Sequence, residues 1–348
     1  MISFHFDGTS HGQGYRGTIT GLPQGFLVDV TKVNEELSRR KSGFGRSDRQ
    51  NYADQVIFDG QEGNFVKIGD EIGFFVPNHG VEQRPDITAL RSGHADVTGK
   101  ARFPEKSVRE VNEIASARNS VCYVVLGAIC KQILEAKGIF TYHYVESLGG
   151  VSCRKKYVFG QSEQEPHFST LHCPSATATK LMQQKIAEAK ALGNSLGGVV
   201  AVGATGVPMG VGEILPYSAR LDAQIAGNLM GIPSVKGISF GLGHKFANLD
   251  GKTAADSLAV NNGQVVYTQN KCGGIVGGIS TGQDVLCRLI VKPVPTVQGV
   301  TTVDANTKQA VPQHYERADT CVVPNVGVIA ENILAFVIIN QMQNQHLL

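Results

Sequence analysis

The stretches SHGQGYRGTITGLPQG at residues 10–25 and SLGGVVAVGATGVPMG at residues 195–210 decide the fold class, because they share one pattern. In each stretch S-x-G is followed, at the same separation, by T-G-h-P-x-G, where h is an apolar residue. Each copy predicts a strand, a glycine–proline turn, a second strand and a helix. Either two hairpins are similar by chance, or an α+β unit is duplicated and its two copies pack into one body.

Four segments around these turns have the apolar pattern typical of helices, at residues 30–40, 116–137, 176–192 and 325–343. The last segment is apolar over one broad side, which predicts burial between two layers. Short β-branched runs predict strands at 17–20, 26–29, 55–58, 198–202, 264–268 and 285–291. We therefore expect one α+β domain over residues 1–348, with pseudo-repeat units of about 1–185 and 186–348.

The composition excludes several classes of protein. The 348 residues are 42% hydrophobic and carry a net charge of +2, so no strong field indicates a nucleic-acid or membrane partner. The seven cysteines are scattered without a C-x-x-C pair, which favours reduced, mostly buried thiols over a metal site or a disulfide framework. No apolar run is long enough to span a bilayer. We expect a soluble cytoplasmic protein without a metal.

Three arginines lie close together in a loop that follows the first predicted helix. Arg40, Arg46 and Arg49 are separated by six and three residues, and Gly43 and Gly45 loosen the backbone between them. The guanidinium group is a rigid fork of donors suited to phosphate and carboxylate, so the three could converge on one anion. A solvated basic loop is the alternative.

Two histidines and two further motifs are candidates for chemistry. His11 and His94 are flanked by small residues that leave the ring accessible, and each could donate a proton to a leaving group, although ordinary core or surface histidines are the alternative. Lys292–Thr296, KPVPT, could present an amine and a hydroxyl to one phosphate on a stiff turn. The motif GGIVGG at 273–278 could approach a flat ligand, but it is no dinucleotide fingerprint. Asp319 could equally belong to a local ion pair or a helix cap.

Taken together, these motifs resemble those of the chorismate synthase family from residue 3 to the last helix. The family's G-x-S-H-G is similar to residues 8–12, its R-R-x-x-G-x-G-R-x-x-R to 39–49, and its R-P-G-H-A-D to 91–96. Its S-A-R is similar to residues 116–118, its K-P-x-P-T to 292–296, and its R-x-D to 317–319. Each motif alone is weak, but their order and spacing together are highly specific.

The resemblance implies a fold with long helices sandwiched between two antiparallel sheets, assembled as a homotetramer. It implies a carbon–oxygen lyase of the shikimate pathway that eliminates phosphate from 5-enolpyruvylshikimate 3-phosphate with reduced FMN. That 1,4-elimination is redox-neutral overall and uses transient electron donation from the flavin. Because no second nucleotide-binding unit is evident, reduced flavin would come from an external, NADPH-linked flavin reductase.

The resemblance also implies roles for individual residues. His11 would be a general acid at the leaving phosphate, His94 would sit by flavin N1, and Asp319 would relay a proton near flavin N5. The substrate would be held by Ser10, Arg40, Arg46, Arg49, Arg91 and Arg118. The cofactor would be bound by Ala115, Ser116, Ser234, Gly277, Lys292, Pro293, Val294, Pro295, Thr296 and Arg317.

Several positions depart from the family pattern. Ile114 takes the place of an arginine near the flavin, Ser92 that of a proline, and Asn194 that of an aspartate. Thr320 and Asn325 replace a proline and an arginine, and residues 78–90 lack a tryptophan-bearing insert. Three hypotheses remain open: a working member of the family, a divergent paralogue acting on another phosphorylated cyclic acid, and a non-catalytic flavin- or anion-binding oligomer.

Overall fold

The computed structural model describes residues 1–46, 52–79, 85–155, 157–160, 169–315 and 318–347. These residues form eight α-helices: α1 (Val30–Lys41), α2 (Asp96–Arg102), α3 (Val108–Ile114), α4 (Ser120–Glu135), α5 (Ala176–Ala191), α6 (Leu221–Met230), α7 (Gly251–Ala254) and α8 (Val323–Asn344). Three of the four predicted helices are observed to within two residues at each end, and the fourth is divided.

The strands, in chain order, are β1 (Ser3–Gly8), β2 (Gly14–Thr20), β3 (Leu27–Asp29), β4 (Ile57–Phe58), β5 (Phe65–Lys67), β6 (Glu71–Pro77), β7 (Phe140–Leu148), β8 (Val151–Ser152), β9 (Gly198–Thr205), β10 (Val235–Phe240), β11 (Leu258–Asn261), β12 (Gln264–Tyr267), β13 (Ile275–Val276), β14 (Ile279–Ser280), β15 (Val285–Val291), β16 (Thr301–Val303) and β17 (Ala310–Pro312). One sheet has the order β1-β2-β6-β4 and a second has the order β10-β15-β9-β7-β8. All neighbouring strands in both sheets are antiparallel.

The long helices fill the space between the two sheets. Helix α4 packs against β2 of the first sheet and against α1 and α8, while α8 packs against β7 and β9 of the second sheet. The expectation that no apolar run is long enough to span a bilayer was wrong, because α8 could cross a membrane by length and composition. However, 94% of its apolar window is buried inside the protein. It is therefore a core helix, as its one broad apolar side predicted.

The helix predicted at 116–137 is divided by a turn that matters for the site. Ser116 Oγ accepts a hydrogen bond from Arg118 N and caps a short 3-10 turn, Ala117–Asn119, before α4 begins at Ser120. In a continuous helix the four positions before Ser120 would follow the axis of α4. After the turn, Arg118 Nη1 reaches Asp54 Oδ2 at 2.6 Å.

The two copies of the repeated motif form equivalent turns. β1 pairs with β2 so that Ser3 faces Thr20, and β7 pairs with β9 so that Phe140 faces Thr205. Gly21 and Gly206 follow these strands with φ of 77° and 80°, a region that favours glycine. Duplication of one unit, with copies of about 1–185 and 186–348, stays a prediction; β7, which precedes residue 186, pairs with β9 of the second copy.

Candidate active site

A cavity of about 540 Å³ lies where the end of α1, the α3–α4 junction and the start of α8 meet. Its lining includes most of the predicted site residues: Ser10, His11, Arg40, Arg46, Arg91, His94, Ala115, Ser116, Arg118, Ser234, Lys292, Val294, Pro295, Thr296 and Asp319. Gly277, in the turn between β13 and β14, and Pro293 do not line it. Arg49 and Arg317, two further predicted residues, lie outside the described residues.

Asp54, which the sequence analysis missed, holds three cations at one side of this cavity. Its Oδ2 accepts from Arg118 Nη1 at 2.6 Å and from Arg40 Nη2 at 2.9 Å, and its Oδ1 lies 3.5 Å from Lys41 Nζ. Burial alone would raise the pKa of this carboxyl, but the hydrogen bond and charge of Arg118 and the charge of Arg40 outweigh it and lower the pKa. The carboxylate is therefore ionised and orients two arginines.

Asn325 supports the same arginine loop from α8. Its side-chain amide donates to the backbone carbonyls of Arg40 and Ser42, both at 2.7 Å. Asn325 takes the place of an arginine in the resembled family pattern, and here it ties the start of the loop to the core. Arg40 itself is buried, and burial lowers its pKa to about 10, so the guanidinium remains charged at neutral pH.

Arg46 and Asp319 form an ion pair across the cavity lining. Arg46 Nη1 donates to Asp319 Oδ2 at 2.7 Å, and both side chains are less than one-fifth exposed. Burial lowers the pKa of Arg46, although the charge of Asp319 opposes this effect. The pair joins the predicted substrate loop to the segment that leads into α8.

His11 lies in the turn between β1 and β2, with two oxygens at one ring nitrogen. His11 Nδ1 is 2.9 Å from Ser10 Oγ and 3.6 Å from Glu113 Oε1. Glu113 belongs to α3, whose first turn is fixed by a capping box between Ser107 and Glu110. His11 and Ser10 are apparent from the sequence, but Glu113 is not, because nothing in a short helix indicates which remote side chain it will face.

His94 and Arg91 share a second buried carboxylate. His94 Nδ1 lies 2.8 Å from Asp96 Oδ1, and Asp96 Oδ2 accepts from the backbone N–H of Arg91, also at 2.8 Å. Burial would raise the pKa of Asp96, but the hydrogen bonds from His94 and Arg91 lower it instead. Arg91 Nη1 also reaches Thr296 Oγ1 at 3.4 Å, so an arginine predicted for the substrate contacts a residue predicted for the cofactor.

The KPVPT turn closes against the His94 loop. Lys292 Nζ donates to the Gly93 carbonyl at 2.5 Å, and Lys292 N donates to the Ser234 carbonyl at 2.8 Å. Ser234 has a φ of 75°, a region that side chains other than glycine seldom adopt and that is common at ligand sites. Lys292 and Thr296 thus lie beside Arg91 and His94 at one side of the cavity.

The cavity is strongly cationic. Seven basic side chains line it among the described residues, Arg40, Lys41, Arg46, Arg91, Arg109, Arg118 and Lys292, against two carboxylates, Glu113 and Asp319. An apolar wall is supplied by Ile232, Pro233, Val294, Val322, Val326 and Ile329. Such a site suits a multiply charged anion beside a flat ring. Ile114, at a position where the family pattern has arginine, is 42% exposed and does not line the cavity.

Comparisons with known proteins agree with this geometry. A family model described as chorismate synthase matches residues 2–343. The chain is 33% identical over 355 residues to a chorismate synthase of Exiguobacterium sp., covering 96% of this chain and 92% of that protein. It is 34% identical over 357 residues to that of Carboxydothermus hydrogenoformans, covering 97% and 92%. A crystal structure of chorismate synthase matches with a TM-score of 0.81 and 27% identity, covering 99% of this chain and 92% of that one. The predicted α+β architecture is confirmed.

Proposed function

The chain belongs to the chorismate synthase family, carbon–oxygen lyases of the shikimate pathway that act on a small-molecule substrate, and we propose that its cationic cavity is the active site of that reaction. The substrate is 5-enolpyruvylshikimate 3-phosphate and the product is chorismate. The observation that carries the proposal is the convergence of His11, His94 and Asp319 with the ordered arginines in one cavity. A module that only binds anions has no need of these proton carriers.

The arginines bind the substrate's phosphate and carboxylates. Arg40 and Arg118 are supported by a shared carboxylate, Asp54, so their forks are oriented before the ligand arrives. This preorganisation reduces the entropy lost on binding. Arg46 and Ser10 line the same cavity and complete the anion site. Arg91 lies between this site and Thr296, a residue proposed to bind the cofactor.

Reduced FMN would be the second ligand of the cavity. The donor set of Lys292 Nζ, Thr296 Oγ1 and Arg91 suits a phosphate, and the apolar wall that includes Ile232, Val326 and Ile329 suits a flat ring system. When bound, reduced FMN would donate an electron to the substrate transiently and regain it, so that the elimination is redox-neutral overall.

Three residues of this chain, His11, His94 and Asp319, have roles in proton transfer and charge stabilisation. His11 gives a proton to the departing phosphate and thereby neutralises its developing charge. His94, oriented through Nδ1 by Asp96, would stabilise the charge of the reduced ring system. Asp319, oriented by Arg46, accepts the proton removed from the substrate ring.

The oligomeric state and the source of reduced FMN are proposed from the resemblance to the family. We propose a cytoplasmic homotetramer that takes reduced FMN from an external, NADPH-linked flavin reductase. The β11–β12 hairpin supports an interface, because Leu258, Val260 and Val265 are 58%, 73% and 61% exposed on it. Analytical ultracentrifugation of the full chain tests the tetramer, and a monomer at micromolar concentration would contradict it.

The function is tested by anaerobic incubation with chemically reduced FMN and 5-enolpyruvylshikimate 3-phosphate. Chorismate absorbance and released phosphate are followed together, and equal amounts of both are expected. Flavin binding without phosphate release would favour a paralogue that acts on another phosphorylated cyclic acid. Absence of flavin binding would favour a non-catalytic oligomer.

A further inference from the structure

The cationic cavity creates a difficulty for a histidine that must act as an acid. His11 shares the lining with Arg40, Lys41, Arg46 and Arg118, and each positive charge disfavours a protonated imidazole. A general acid must nevertheless hold its proton when the substrate arrives. Asp54 carries one negative charge against the three cations that it contacts, Arg40, Lys41 and Arg118, so another group has to offset the positive charge that remains.

Two carboxylates, Asp319 and Glu113, line the cavity in the described part of the chain, and they contact different side chains. Asp319 Oδ2 lies 2.7 Å from Arg46 Nη1, so the charge of this carboxylate acts mainly on Arg46. Glu113 Oε1 instead lies 3.6 Å from His11 Nδ1, and the two side chains are 22% and 26% exposed. Glu113 is thus the carboxylate placed to act on His11.

We propose that Glu113 is a positioning residue that keeps His11 protonated in the enzyme before substrate binds. The inference rests on the proposed function, because it assigns Glu113 a role through the acid of that reaction. In the protonated ring Nδ1–H donates to Ser10 Oγ at 2.9 Å, and Glu113 supplies the countercharge through space. Nε2–H is then the proton that His11 gives to the departing phosphate.

The division of roles between Ser10 and Glu113 follows from the distances. A hydroxyl at 2.9 Å fixes the orientation of the ring, whereas a carboxylate at 3.6 Å is too far for a strong hydrogen bond but close enough for charge stabilisation. Once the phosphate has taken the proton, the neutral ring is left beside Glu113. The carboxylate then favours the return of a proton from solvent.

The test compares Glu113→Gln, which removes the charge but keeps the shape, with Glu113→Asp, which keeps the charge. Glu105→Gln is the matched control, since Glu105 is exposed and does not line the cavity. The pKa of His11 is measured from the pH dependence of its modification by diethyl pyrocarbonate, located by peptide mass spectrometry. Glu113→Gln should lower it by about one unit, because an adjacent carboxylate favours the charged ring.

Activity gives an independent readout. The basic limb of the kcat/KM profile should move to lower pH by the same amount in Glu113→Gln, and activity at the acidic end should persist. The basic limb of Glu113→Asp should lie closer to that of the parent protein, and the profile of Glu105→Gln should match the parent profile. A uniform loss at every pH, with the His11 pKa unchanged in Glu113→Gln, would overturn the inference. Failure of the parent protein to release phosphate would instead overturn the proposed function, while the chemical titration would still report on the Glu113–His11 pair.

Discussion

Arg118 Nη1 donates to Asp54 Oδ2 at 2.6 Å, so an arginine assigned to the ligand is already bound by a fully buried carboxylate. The same oxygen accepts from Arg40, which makes one carboxylate the support of two ligand arginines. An ordered clamp of this kind binds anions without losing side-chain entropy at the moment of binding. It also makes the stability of the fold depend on the site.

Asp54→Asn should therefore lower both stability and substrate affinity. Removing one member of a buried ion pair leaves uncompensated charge and costs about 3–5 kcal/mol. We expect a lower midpoint of urea unfolding, together with a raised KM for the phosphorylated substrate. Asp59→Asn, at an exposed carboxylate, is the control. An unchanged unfolding midpoint in Asp54→Asn would contradict the supporting role.

Because its pKa is lowered in the folded state, Asp54 stabilises the protein above the unfolded pKa of about 4. That contribution is lost as pH falls through the folded pKa. Acid unfolding of the parent protein should therefore be steeper below pH 4 than that of Asp54→Asn, as followed by circular dichroism.

His11→Ala and His94→Ala should each reduce the turnover number. The loss of one acid–base contribution is typically on the order of 10²–10⁴-fold. Single-turnover measurements with reduced FMN separate this loss from weaker binding. Turnover within tenfold of the parent protein in both variants would exclude the assigned roles.

Lys292→Ala should weaken flavin binding. A charge-assisted hydrogen bond to phosphate contributes enough that its loss should raise Kd roughly 10- to 100-fold. Anaerobic equilibrium dialysis with reduced FMN measures this change, and Lys190→Ala, an exposed residue of α5, is the control. Equal affinity in Lys292→Ala and the parent protein would remove Lys292 from the phosphate site.

A buried charged cluster between the helices predicts a second pH effect, separate from the active site. His143 Nδ1 lies 2.5 Å from Glu331 Oε2, and His143 Nε2 lies 2.7 Å from His172 Nδ1. Arg39 and Lys131 also contact Glu331, and Glu36 contacts both of these cations. Burial lowers the pKa of His143 despite the charge of Glu331, so the ring is neutral in the folded protein at pH 7.

The unfolded chain binds a proton at His143 below about pH 6.5, whereas the folded protein resists it. The free energy of unfolding should therefore fall as pH decreases from about 6.5 toward 5. In His143→Gln, denaturant titrations over the same range should show a shallower slope. Parallel slopes in the two proteins would assign the pH dependence to other groups.

Local pattern was sufficient for much of the fold. The β-branched run at Val285–Val291 is a strand with the predicted bounds, and the apolar segment that became α8 is buried between layers as predicted. These elements follow from periodicity and burial, which are properties of contiguous residues. The motifs also indicated which residues would meet: His11, His94, Asp319 and the basic side chains line one cavity.

What the tertiary structure decided is how those residues are supported. Asp54, Glu113 and Asn325 carry no local signal, yet each contacts a predicted site residue or its backbone from a separate element. Conversely, Gly277 belonged to a motif expected at the flavin but lies in the β13–β14 turn, away from the cavity lining. Periodicity and motif spacing were sufficient to predict most of the elements and the chemical groups of the site. Only the packing of α1, α3 and α8 decided which carboxylate faces which cation, because such pairings join residues distant along the chain and depend on the relative positions of whole helices.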